Sequence, residues 1–178
     1  MRRAAAAVAL LALAGCGDGD ERPAPGAPLT LESPAFRDGG TLPKRFTCDG
    51  AGKSPPLRWS GVPDEARDLA LVVDDRDVPV GAFTHWTAWK LPFEPDGSGR
   101  VPEAHVPPEM VQGSGDAGDR GWSPACPPEG DGAHTYVFTL YALDRPAELS
   151  AGASPLQVRT AVTASAVAEE RLEVTYDR

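Results

Sequence analysis

The stretch Leu69-Ala70-Leu71-Val72-Val73 is apolar at every position and bounded by charge. A half-buried strand would alternate, so a continuous run of this length suits a strand buried on both faces. Elsewhere the chain is punctuated by 19 glycines and 19 prolines in 178 residues, a density that calls for many turns and short strands rather than long helices. Leu29 to Ser33 alternates and stops at Pro34. Phe83 to Leu91 alternates with Phe83, His85, Thr87, Trp89 and Leu91 on one face. Ala133 to Leu143 sets His134, Tyr136, Phe138 and Leu140 opposite Thr135, Val137, Thr139 and Tyr141, and Leu172 to Tyr176 reads as a last strand. One segment reads as helix: Ser154 fits the N-cap, Pro155 the first position, and Val158, Val162 and Ala166 recur every four residues. From about Pro92 to Gly132 runs a segment too long to be idle in a compact domain, so it should hold short strands or a binding site. The expected fold is mainly β, an antiparallel β-sandwich with a helix near the C-terminus.

The amino-terminal region is of another kind. Met1-Arg2-Arg3 followed by the uncharged run Ala4 to Ala14 is the pattern of an export signal, too short to span a bilayer. Its ending, Leu13-Ala14-Gly15-Cys16, resembles a bacterial lipobox, which implies residues 1–15 as a lipoprotein signal peptide and a lipid on Cys16. The alternative is an ordinary signal peptide with an incidental cysteine. Residues 16–28 hold three prolines and no apolar side chain beyond alanine and the cysteine, as a flexible tether would. The folded domain is then 29–178, and the location an exported, lipid-anchored one in a bacterial cell envelope.

Charge narrows the partners. With 26 acidic against 17 basic residues and a net charge of −9, the chain lacks the basic footprint that nucleic acid requires. No G-x-S-x-G elbow, H-E-x-x-H or phosphate-loop motif is present, and Cys48 and Cys126 stand too far apart for a zinc knuckle. No cofactor or metal is expected. The sharpest local signal is Asp74-Asp75-Arg76-Asp77-Val78-Pro79 at the end of the buried strand. Carboxylates this close repel unless donors satisfy them; the pattern fits a solvated, proline-fixed turn or a site using Asp75 and Asp77 as acceptors. His85 lies on an otherwise apolar face, where a lone histidine is more often a hydrogen-bonded core residue than a ligand. Cys126-Pro127-Pro128 makes a stiff wall, and Gly130 and Gly132 let the chain turn back into His134-Thr135-Tyr136.

Together, Thr47-Cys48-Asp49-Gly50, Ser54-Pro55-Pro56-Leu57, Asp75-x-Asp77-x-Pro79, His85-Trp86, Gly121-Trp122, Cys126-Pro127-Pro128, His134-x-Tyr136 and Leu140-Tyr141-Ala142-Leu143 resemble the phosphatidylethanolamine-binding protein family, in its bacterial Raf-kinase-inhibitor-like (YbhB/YbcL) branch. The resemblance spans Leu29 to Arg178. It implies a β-sandwich with a small anion-binding pocket at one end, lined by Asp75, Asp77, Pro79, His85, Pro127, Pro128, His134 and Tyr136. Three positions depart from the pattern: Arg76 stands where the family usually has proline, Thr135 where it usually has arginine, and Trp122 where tyrosine is frequent. By the same resemblance, Cys48 and Cys126 both lie at the pocket end, and as the two thiols left after Cys16 they are expected to form a disulfide. The Val78–Pro79 bond, where a tight turn must present Asp75 and Asp77 together, is a candidate cis peptide.

Imidazole, phenol and backbone donors converging in a concave site can capture an anion, each Asp holding a histidine in its donor tautomer. The leading expectation is therefore a membrane-tethered binding module for a small anion or a phosphoethanolamine-like phospholipid head group, Raf-kinase-inhibitor-like and a candidate inhibitor or regulator, with no catalytic residue. One alternative is a hydrolase using His134 or His85 as base with a nearby Asp; it lacks an evident nucleophile, since Ser123 lies in the right loop but nothing marks it as activated. Another is a passive envelope lipoprotein.

Overall fold

The computed structural model describes residues 27–178; the expected signal peptide, Cys16 and most of the expected tether lie outside them. Two sheets face each other. The smaller joins β1 (Thr30–Glu32), β3 (Leu57–Ser60) and β6 (Gly99–Val101) in the order β1-β3-β6. The larger has the order β2-β9-β8-β4-β5-β7, built from β2 (Gly40–Thr41), β4 (Asp68–Asp75), β5 (Phe83–Trp89), β7 (Val111–Gln112), β8 (His134–Leu143) and β9 (Ala166–Tyr176). All named pairings are antiparallel except β2 with β9, which run parallel, so the antiparallel expectation holds for all but one edge strand. β6 and β7 lie within the long segment between Pro92 and Gly132.

Every residue of β4 is buried, and the two faces enter different cores. Leu69, Leu71 and Val73 point into the sandwich with Leu31, Leu57, Trp59, Phe138 and Leu172, while Ala70 and Val72 pack with Trp89, Leu143, Val158 and Val162 under the helix. That double cover is why the run is apolar without alternation. The helix, α1 (Pro155–Thr163), starts with the expected cap: Ser154 Oγ accepts from the Gln157 N–H while the Gln157 side chain accepts from the Ser154 N–H. Of the predicted apolar stripe, Val158 and Val162 are buried in α1, but Ala166 belongs to β9. The chain turns at Ala164 and Ser165, so the every-four spacing at Ala166 is coincidental.

At the end of the sandwich where β4 begins, Asp68 is 4% exposed and its carboxylate accepts three backbone N–H groups, from Leu69 at 2.7 Å, Lys90 at 2.8 Å and Ala147 at 2.9 Å. Lys90 has φ +56°, a left-handed conformation that a non-glycine residue adopts at a cost, and Asp68 fixes it. Pro28 lies at this same end. Its carbonyl comes so close to Gly61 that a Cβ there would sit 2.2 Å away, and Gly61 also has φ +70°; only glycine fits.

Candidate functional site

The opposite end of β4 carries the predicted cluster, and a break in register assembles it. Val73 pairs with Trp86 but Asp74 pairs with Thr84, leaving His85 as the extra residue of a β-bulge. Regular alternation would put His85 on the helix side with Thr87 and Trp89. The bulge turns it instead toward the sandwich side, where its ring lies 5.2 Å from Tyr136, 5.0 Å from Phe83 and 6.1 Å from Trp122. The expected shared face of Phe83, His85, Thr87, Trp89 and Leu91 is therefore broken at His85.

Asp75 faces Tyr136 directly across the β4–β8 pairing, and His134 stands two residues before Tyr136 on the same face. His134 Nδ1 is 2.7 Å from Asp75 Oδ2 with both side chains 6% exposed. Its Nε2 meets only the exposed Asp131, at 3.5 Å. Burial disfavours the charged His134 ring, but the hydrogen bond and charge of Asp75, helped by Asp131, outweigh it and raise the pKa above the ordinary histidine value. His85 behaves oppositely. Burial holds its pKa low, and the Ser123 carbonyl and the carboxylates of Asp75, Asp74 and Asp116 offset this only in part. Because that carbonyl, 2.9 Å from His85 Nδ1, can only accept, Nδ1 bears the proton and the neutral ring keeps a lone pair on Nε2. Burial first and the Asp75 carboxylate second push the Tyr136 phenol up, so it stays an O–H donor. Its oxygen is buried and makes no hydrogen bond of good geometry, with Asp75 and the Cys126 N–H beside it.

Asp77 has a different task from the one expected. It holds no histidine: its Oδ2 accepts the Thr135 N–H at 2.6 Å, and its own N–H donates to Asp75 Oδ1 at 2.9 Å. These bonds, with Arg76 N–H donating to the Thr135 carbonyl at 3.0 Å, tie the turn that follows β4 to the start of β8. The Thr135 hydroxyl first and the Thr135 N–H second, helped by the charge of His134, hold Asp77 below the usual carboxylate range. The turn is made by side-chain and backbone bonds rather than by an isomerised proline, and no cis peptide occurs among the described residues, so Val78–Pro79 is trans. Of the eight predicted lining residues, Asp75, His85, Pro127, His134 and Tyr136 are buried; Asp77, Pro79 and Pro128 are exposed around them. The Cys48–Cys126 disulfide is present, with Cα atoms 5.4 Å apart, and the Thr47–Ala125 bridge and the Cys48 N–H to Ala125 carbonyl bond run beside it.

Residues 32–177 match the phosphatidylethanolamine-binding protein family. The chain belongs to that family. Among its relatives in the family is a UPF0098 protein of Methanothermobacter thermautotrophicus, 44% identical over 84% of this chain and 99% of its own length. The Mycobacterium tuberculosis protein named "Putative lipoprotein LppC" is 38% identical over 94% of this chain and 91% of its own. In structure the chain is similar to Escherichia coli YbcL, described as a member of the mammalian PEBP family, with TM-score 0.78 and 29% identity over 85% of this chain and 99% of that one. A Chlamydia trachomatis PEBP homologue, CT736, gives TM-score 0.77 and 36% identity, covering 85% and 98%.

This family member departs from the usual pattern in ways that now have places. Thr135 gives the turn its backbone N–H and carbonyl, and Arg76 is exposed and bonded to Thr135 through the main chain. Trp122 stacks on Phe138 at 6.1 Å and donates to the Phe46 carbonyl at 3.3 Å, a packing role that its larger ring serves. Ser123, the residue nearest to a nucleophile in the hydrolase alternative, meets His85 through its carbonyl, and its Oγ is buried with no hydrogen-bond partner among the described residues. Sequence reasoning missed Asp131 and the orienting role of Ser123. The Asp131 spacing, three before His134, was the available signal; nothing in the sequence marked Ser123.

Proposed function

We propose that this protein is a binding module for a small phosphate-bearing ligand, such as a phosphoethanolamine-like head group, anchored to the bacterial envelope through lipidated Cys16. The observation that carries the reading is two histidines at one end of the sheet with opposite surroundings, His134 Nδ1 on the Asp75 carboxylate at 2.7 Å and His85 Nδ1 on the Ser123 carbonyl at 2.9 Å. His134, whose protonated form Asp75 favours, offers an N–H donor and, when protonated, a positive charge; Tyr136 offers an O–H; His85, whose neutral form burial favours, offers an acceptor lone pair. A monoprotonated phosphate has both needs, oxygens that accept and one hydroxyl that donates. The lipoprotein name of the mycobacterial relative supports the anchor. A regulatory, inhibitor-like role would act through occupancy of this pocket. Binding rather than turnover is favoured because no histidine nitrogen engages the Ser123 hydroxyl.

The test is calorimetric titration of the oxidised protein at pH 6 with inorganic phosphate, phosphoethanolamine and, as controls, citrate and chloride. Saturable phosphate binding lost in His134→Ala is expected. Absence of heat with both phosphate compounds would remove the reading, and native mass spectrometry of freshly purified protein would identify any retained ligand.

A further inference from the structure

The Cys48–Cys126 disulfide lies on exposed residues, beside the site, with one sulfur in an environment the other lacks. Arg178, the last residue of the chain, points Nη1 at Cys126 Sγ from 3.5 Å. Its Nε donates to Asp49 at 3.1 Å, and its Nη2 lies 3.6 Å from the exposed Glu129. Asp49 is also held by the Tyr176 hydroxyl at 2.6 Å, which leaves that carboxylate, the neighbour of Cys48, doubly engaged. The Asp49 bond thus holds the guanidinium where one Nη1 N–H reaches the sulfur of Cys126.

We propose that this bond is a thiol–disulfide exchange site with a set polarity, serving an external dithiol reductant. The incoming thiolate attacks Cys48 Sγ, forms a mixed disulfide there and expels Cys126 as thiolate, the better leaving group because Arg178 meets the developing charge with a charge-assisted hydrogen bond. The reductant's second thiolate then attacks its own sulfur in the mixed disulfide and releases Cys48. Two electrons pass from the dithiol, which leaves as a disulfide, to the cysteine pair. The bond also straps the Cys126-Pro127-Pro128 wall to the Cys48 loop, and the Cys126 backbone lies against the Tyr136 phenol. Its reduction frees that wall and weakens phosphate capture. This second step rests on the anion-binding reading; the polarity of exchange does not.

The experiment uses the full-length chain carrying Cys16→Ser, so that only two sulfurs report. Oxidised protein is mixed with glutathione, trapped rapidly with an alkylating agent and mapped by peptide mass spectrometry. Glutathione is expected on Cys48 and the alkyl group on Cys126, by about threefold over the reverse, the effect of one pK unit in the leaving thiol at a Brønsted slope of about 0.5. Arg178→Lys should keep this preference and Arg178→Gln should erase it, a change in product that a merely structural role for Arg178 would not give. Adducts mainly on Cys126, or a distribution unaltered in Arg178→Gln, would overturn the polarity. In the second arm, inorganic phosphate affinity is compared before and after reduction by dithiothreitol. A several-fold loss that reverses on reoxidation is expected, and equal affinities would overturn the wall's role. If the oxidised protein binds no phosphate, the anion-binding reading and the wall's role both fall, whereas the mapping decides the polarity by itself.

Discussion

Asp74 and Asp75 are neighbours in the chain, yet they serve opposite sides of one sheet. Asp75 faces the sandwich end and holds His134; Asp74 faces α1 and accepts from Arg159 at 2.5 Å and from the Thr84 hydroxyl at 3.0 Å. A strand necessarily sends consecutive side chains to opposite faces. One acidic dipeptide therefore both charges the candidate site and pins the helix behind it.

The pinning can be measured. Asp74 is nearly buried while Arg159 keeps 38% side-chain exposure, so solvent takes part of the pair's strength. Removing one partner of a fully buried pair costs roughly 3–5 kcal/mol, and the exposure of Arg159 reduces this to about 2 kcal/mol for Arg159→Met. Adding Asp74→Asn to that variant should recover part of the loss, because no unpaired buried carboxylate then remains. Urea unfolding of the single and double variants checks both; a double variant less stable than Arg159→Met alone would refute the account.

Phosphate binding should be tighter at pH 5.5 than at pH 8, by about fivefold, the difference of roughly 1 kcal/mol between a charge-assisted and a neutral hydrogen bond. The cause is His134, whose raised pKa keeps it protonated beyond the ordinary value near 6.5. His134→Gln should flatten the profile beyond the ligand's own titration. The same shift makes a stability statement: the His134–Asp75 contribution is complete below about pH 6.5 and fades as pH rises through the raised folded value. His85 has the reverse sign, since its depressed folded pKa makes its contribution complete above about 6.5 and lost on acidification. Proton NMR titration of the two rings separates them.

Asp68→Ala should be among the most damaging single changes, because it strands three backbone N–H groups at once, two of them buried. A loss on the order of 3 kcal/mol is expected, with proteolysis beginning near Lys90, where the left-handed backbone loses its hold. Thermal unfolding followed by limited proteolysis tests this far from the candidate site. Phosphate affinity just below the lowered melting point should stay unchanged.

For the anchor, Cys16→Ser should move the protein from the detergent phase to the aqueous phase, and the mature wild type should begin at Cys16. A mapped N-terminus elsewhere would count against lipidation.

How much of this was legible in advance follows from what each signal measures. The Leu69–Val73 run announced its double burial because both faces of β4 are apolar, and the Ser154-Pro155 cap announced α1 because the capping bonds are local. His134 and Tyr136 could be placed on one face because β8 keeps its alternation through that stretch. His85 could not, since its orientation is set by an unpaired residue against β4, a property of two strands rather than of one. Asp77 looked like a second histidine holder; its true partner, the Thr135 main chain, is separated by 58 residues and has no side-chain signature. Likewise, Ser123 orients His85 with a carbonyl that every residue possesses.

The position of Pro28 beside Gly61 sets a direction for the whole molecule. The chain enters the domain where β4 begins, and the candidate site lies where β4 ends, about 23 Å away at the usual rise per residue of a strand. On the anchor reading, the twelve residues from Gly17 to Pro28 extend at most roughly 40 Å. The lipid then works as a mooring at the stern, with the pocket at the bow. A tether of that reach exceeds the distance between the two ends, so the domain is free to turn its pocket toward the membrane that holds it or away from it.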